Sequence, residues 1–155
     1  MTMLDHISSV CQRCYYQLQQ IRRVRKSLSA APKLLLVLAS VHSRLDYCNS
    51  VLHSLPWSRL QLLQSVLNSA ARLIRGLGRF DHITPVLIDL HWLPFPQRIS
   101  YKICLLMFKC LKGLAPAYLS DLCVGTAAVV GRAGLRSAAR GDLVVPGHRT
   151  EWGSR

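Results

Sequence analysis

Metal-dependent nucleotidyl transfer requires carboxylates clustered closely enough to hold two divalent cations about 4 Å apart. Asp5, Asp46, Asp81, Asp89 and Asp121 are instead scattered, one per predicted helix or loop, and no aromatic-x-Asp-Asp sequence occurs. Asp46 reads as half of a structural ion pair with a bundle arginine such as Arg72. Cys11-x-x-Cys14 is a lone pair, whereas a structural zinc site takes four ligands, and His6, His42 and His53 do not supply the missing spacing. A redox role for the same pair would need a βαβ context that the pattern lacks. No G-x-S-x-G elbow and no phosphate-binding glycine loop is present. The sequence therefore reads as a non-enzyme that needs no metal and no cofactor.

Basic residues carry the stronger signal. Arg22, Arg23, Arg25 and Lys26 crowd the end of the first predicted helix, where they also complement its dipole. Arg72, Arg75 and Arg79 form a second group, and Arg98 with Lys102 a third. With 20 Lys and Arg against 7 Asp and Glu, acids are too few to neutralise these groups, which points to a polyanionic partner. Nucleic acid ranks ahead of an anionic membrane surface. Contacts of this kind grip phosphates without reading sequence. If about six phosphates were neutralised, log K would fall with log salt at a slope near −5.

Helical periodicity positions these residues. Ile7, Val10, Cys14, Leu18, Ile21, Val24 and Leu28 recur at steps of three and four, giving one apolar stripe with Asp5 as its cap. A second helix opens at Pro32, carries Leu35, Leu38, His42, Leu45, Cys48 or Asn49, and Leu52, and stops at Pro56. A third spans Trp57 to Arg75, burying Leu60, Leu63, Leu67, Ala70, Ala71 and Ile74 and ending at Gly76. Thr84-Pro85 starts a short helix through Leu90, followed by an apolar elbow of Trp92, Leu93 and Phe95. A fourth long helix, Gln97 to Lys112, buries Ile99, Ile103, Leu106 or Met107, and Cys110, and turns Arg98, Lys102, Lys109 and Lys112 outward. Pro116 opens a last short helix through Leu122.

Beyond Cys123, where six of the nine glycines lie, periodicity fades. The expectation is an all-α fold, a small bundle of four longer helices and two short ones over residues 1–122. A disordered, basic, Gly-rich tail follows over 123–155. Half of the chain is hydrophobic, enough for one domain with a core. The longest apolar run, Leu34 to Ala39, falls far short of the ~20 residues of a membrane span, and Asp5 and His6 interrupt any signal-peptide core. An intracellular, nuclear or cytoplasmic protein with reduced, buried cysteines is expected.

Several ordered motifs point to one family. They are Leu45-Asp46-Tyr47-Cys48-Asn49-Ser50, Asn68-Ser69-Ala70-Ala71-Arg72-Leu73-Ile74, and Asp81-His82-Ile83-Thr84-Pro85 leading to His91-Trp92-Leu93-Pro94. Lys109-Cys110-Leu111, Gly113-Leu114-Ala115-Pro116, Tyr118-Leu119, Leu135-Arg136-Ser137 and Val144-Val145-Pro146 complete the set. In this order they resemble the C-terminal part of the polyprotein of LINE-type (non-LTR) retrotransposons, after the reverse-transcriptase palm. The resemblance runs from about His6 to Trp152. It implies a helical thumb and its extension, which grips the backbone of an RNA–DNA or DNA template–primer duplex while a palm performs synthesis. Palm, fingers and endonuclease are absent, and both ends read as truncated. Pro32 and Leu34-Leu35-Leu36 stand where the family pattern has a more polar helix start.

The leading expectation is thus a non-catalytic, thumb-like fragment that binds nucleic acid. One alternative is a helical module that engages another protein, or itself, through the apolar surface a palm would cover. Another is a translated repeat relic without selected function.

Overall fold

A computed structural model of the chain describes residues 3–145. Its helices follow the apolar period wherever polar residues fix the phase of that period. α1 (Met3–Val24) is a 22-residue helix, about 33 Å long, that buries Ile7, Cys14, Leu18 and Ile21. Asp5 lies in its first turn instead of capping it. The stripe stops earlier than its spacing suggests. A 3-10 turn at Arg25–Ser27 tightens the winding, Val24 is half exposed, and Leu28 is extended.

The second predicted helix breaks into pieces. α2 (Ala30–Val37) runs into a π turn at Leu38–His42 and then α3 (Ser43–Asp46). Cys48 follows at φ 53°, and a 3-10 turn covers Asn49–Leu52. The wide turn resets the buried face to Val37, Val41 and Leu45, four residues apart, leaving the expected Leu35 and Leu38 outside. The run Leu34–Ala39 is apolar on every side and so carries no phase information. Ser40 and Ser43 hydroxyls also donate to the carbonyls of Leu36 and Ala39 one turn back, a bond that competes with the helix ladder.

α4 (Trp57–Arg75) has the expected bounds and buries every expected residue, together with Val66 and Leu73. It packs mainly on α1, and its fully buried Ala70 and Ala71 permit a close approach. Gly76 ends it at φ 70°, and Leu77 N–H donates to the Arg72 carbonyl at 3.0 Å, closing a Schellman turn.

α5 (Thr84–Asp89) carries its proline at the start and ends on His91 at φ 55°, which directs Trp92 N–H to the Leu87 carbonyl at 2.7 Å. The elbow then buries Trp92 and Phe95, whereas Leu93 is exposed, against expectation, because the chain bulges outward at Leu93 and Pro94 between the two buried rings. Gln64 of α4 accepts Phe95 N–H at 2.6 Å through Oε1 and donates to Asn68 at 2.8 Å. This satisfies a donor at the start of α6 (Phe95–Leu111) that has no partner within its own helix.

α6 buries Phe95 and Ile99, then loses its buried face. Leu106 and Cys110 are half-buried and Met107 is exposed. The described chain forms two compact units, one ending at Ile103 and one beginning at Cys104. The buried hydrophobic cluster belongs wholly to the first. The second contains α7 (Ala117–Ser120), a 3-10 turn at Thr126–Ala128 and α8 (Arg136–Ala139). A single antiparallel bridge pairs Gly125 with Leu143, and the Thr126 hydroxyl donates to the Asp142 carbonyl at 2.8 Å. Part of the stretch expected as tail therefore carries short turns. Its remainder, 146–155, lies outside the described residues. The fold is all-α, with no strand among the described residues.

One polar cluster sits within the first unit. Arg98 of α6 donates to both carboxylate oxygens of Asp46, Nε to Oδ1 at 3.0 Å and Nη2 to Oδ2 at 2.7 Å. An ion pair between Asp46 and a bundle arginine is as expected, but the arginine is not Arg72, the example given above. Geometry selects Arg98 instead, because α6 brings its fork across α3. Arg98 Nη2 also lies 3.2 Å from His42 Nδ1, so that nitrogen accepts and the imidazole proton resides on Nε2. Trp92 covers the ring, with centroids 3.9 Å apart. Burial, reinforced by the Arg98 charge and opposed by Asp46, lowers the His42 pKa from 6.5 to about 4.

The sign of the resulting pH dependence is fixed. Between these values the unfolded chain binds a proton that the folded chain excludes. His42 therefore contributes stability that is complete above pH 6.5 and is lost as pH falls towards 4, by up to about 3 kcal/mol. Urea unfolding at pH 7 and pH 4.5 should show a smaller difference for His42→Gln than for the parent. Equal differences would contradict this assignment.

Candidate nucleic-acid interface

The end of α1 and the end of α4 carry the two main basic groups, and the fold brings them together. Arg22 and Arg25 from the first, with Ser69, Arg72 and Leu73 from α4 and Leu77, Gly78 and Arg79 from the loop, line a cavity of about 530 Å³. The loop is shaped by the Schellman turn at Gly76 and by Asp81, whose carboxylate accepts Gly78 N–H at 2.7 Å. Arg72 Nη2 reaches the Asp81 carbonyl at 3.4 Å, and its buried Nε has no hydrogen-bond partner. Among the described residues no ion pair engages Arg22, Arg25 or Arg79. Among the described residues no carboxylate lines the cavity.

The remaining predicted residues divide. Arg23, with Gln19 and Arg22, borders a neighbouring depression of about 290 Å³. Lys26 and Lys102 are exposed and line neither hollow. Arg75 pairs with Asp89 on the surface. Arg98, expected to point outward, is committed to Asp46 and His42 with its side chain 14% exposed. Its position one turn after the buried elbow places it beside Ile99 on the flank of the inward face, which composition alone does not reveal.

A second basic hollow escaped the sequence reading. His6, Val10, Arg13, Ser43, Arg44 and Tyr47 enclose about 370 Å³ between α1 and the start of α3. Arg13 stands three residues after Val10, at the edge of the apolar stripe, and Arg44 adjoins Leu45. Those offsets are the signal that marked them as flanking a helix contact.

Cysteines are less buried than expected. Cys14 is buried, Cys11, Cys110 and Cys123 are intermediate, and Cys48 and Cys104 are exposed. Burial and neighbouring Cys11 raise the Cys14 thiol to about 11, opposed by Arg44. Among the described residues no group of three or more His, Cys, Asp or Glu side chains is placed to hold a metal ion. No described helix is long and apolar enough to cross a membrane.

No protein-family model matches the chain, and no curated protein or solved structure is significantly similar to it.

The two arginine pairs differ in burial and so in energetic weight. The Arg98 side chain, 14% exposed, also serves the buried His42. Arg98→Ala leaves an imidazole nitrogen without its donor while Asp46, 43% exposed, meets water, and should cost about 1 to 2 kcal/mol in urea unfolding. Arg75→Ala removes a pair whose side chains are 45% and 62% exposed, and should cost less than about 1 kcal/mol. Equal losses would contradict the distinction.

Proposed function

We propose that this chain is a thumb-like helical region of the LINE-type retrotransposon kind, binding nucleic-acid duplexes through their phosphates. The observation that carries the reading is one cavity bordered by Arg22, Arg25, Arg72 and Arg79 with no carboxylate in its lining. Guanidinium forks match phosphate oxygens and keep their charge at every physiological pH. Arg23 and Lys26 extend the charge along the same end of α1. Arg75 and Arg98, satisfied by acids of the chain itself, fall outside the proposed surface.

Four phosphates neutralised correspond to a salt slope of about −3.6, shallower than six would give. A second reading also has support. Phe108, Leu111, Leu114, Tyr118 and Leu122 are exposed, at 54% to 77%, an apolar surface of the sort that meets another polypeptide. Salt separates the two readings, since apolar association does not weaken as salt rises.

Arg22→Ala combined with Arg25→Ala removes two exposed cations and touches no core residue. Titration of an RNA–DNA hybrid and a DNA duplex should show both weakened about equally, whatever their sequence, with the salt slope reduced by about 2. A slope left unchanged by the double substitution would sink the proposal.

A further inference from the structure

The arginine cavity is a hollow, whereas the backbone of a continuous duplex presents a ridge. A surface that only tracked a backbone would need a charged stripe and no depth. At about 530 Å³ the cavity has the size of a small-molecule site. Its lining is also mixed. Leu73 is buried and Leu77 half-buried, and they stand among guanidinium groups from three segments of chain. Arg72 contributes its guanidinium to the wall, with Nη2 3.4 Å from the Asp81 carbonyl and Nε buried behind it.

We infer that the cavity seats a terminal phosphate monoester of a nucleic-acid strand, with the end nucleotide resting on Leu77. This rests on the duplex-binding reading and narrows it. A phosphodiester inside a strand offers one negative charge and is held on both sides by its neighbours. A terminal monoester carries close to two charges near neutral pH, presents three acceptor oxygens, and projects freely from the strand. That geometry suits donors converging from Arg22, Arg25, Arg72 and Arg79. Asp81 is the carboxylate at the rim. Its Oδ2 accepts the Gly78 N–H, which offsets part of its charge, and its backbone carbonyl accepts from Arg72 Nη2.

The test uses the full chain and short DNA duplexes in direct titration at fixed salt. The probes are a duplex with a 5′-phosphate, one with a 3′-phosphate, one with hydroxyl ends, and a closed dumbbell without ends. The hydroxyl-ended duplex is one base pair longer, so that total charge is matched. One or both phosphorylated ends should bind at least about tenfold tighter than the hydroxyl-ended duplex and the dumbbell. Arg79→Ala, a substitution on the exposed loop, should reduce that preference to threefold or less while the dumbbell still binds. Equal binding of all four probes overturns the inference and leaves backbone binding standing. Failure of every probe to bind overturns both. An end preference that Arg79→Ala leaves intact places the end elsewhere and overturns the assignment to this cavity.

Discussion

The fork of Arg98 on Asp46, with His42 beneath Trp92, is the constraint on which the first unit of this fold depends. It joins α3, the π turn, the elbow and α6 across a sequence separation of 52 residues. A hydrophobic core tolerates sliding between helices, because apolar contacts have no direction. A bidentate guanidinium–carboxylate pair does not, since two parallel hydrogen bonds fix both the distance and the roll of α6 over α3. The neighbouring imidazole adds a third requirement, for it must stay neutral to accept from Arg98. Register in this unit is thus set by a few polar atoms held inside an apolar frame.

That arrangement sorts the arginines. The chain has few acids, and two of the six aspartates are spent on Arg98 and Arg75. Of the described arginines outside those two pairs, Arg22, Arg25, Arg72 and Arg79 meet around one cavity, where the end of α1 lies beside the end of α4. An excess of positive charge spread evenly would serve solubility. Four arginines of that excess gathered around one hollow, after internal pairs have removed two candidates, have a location and a shape that a polyanion can use. The functional proposal rests on that contrast and not on net charge.

Much of this was legible in the sequence, for reasons that differ by element. α4 was read to its bounds because polar residues alternate with its apolar face and proline and glycine mark its ends. Thr84-Pro85 was equally plain, as were Trp92 and Phe95 of the elbow, though not the exposed Leu93 between them. The break in the second helix was not, because Leu34–Ala39 supplies no polar contrast and a π turn leaves no compositional trace. The partner of Asp46 was also hidden. Arg72 and Arg98 have the same chemistry, and only the packing of α6 decides which one arrives. Likewise, the basic groups were visible as local runs. That Arg22 and Arg25 share a hollow with Ser69, Arg72 and Arg79 follows from how α1 lies on α4, and so does the inclusion of Leu73 and Leu77.

Hydrogen–deuterium exchange of the chain, with and without a saturating RNA–DNA duplex, reads where the nucleic acid sits. Exchange should slow in peptides covering residues 19–27 and 69–81 and stay unchanged over 95–103, where Arg98 is already engaged. Protection centred on 95–103 with none at the ends of α1 and α4 would contradict the proposal.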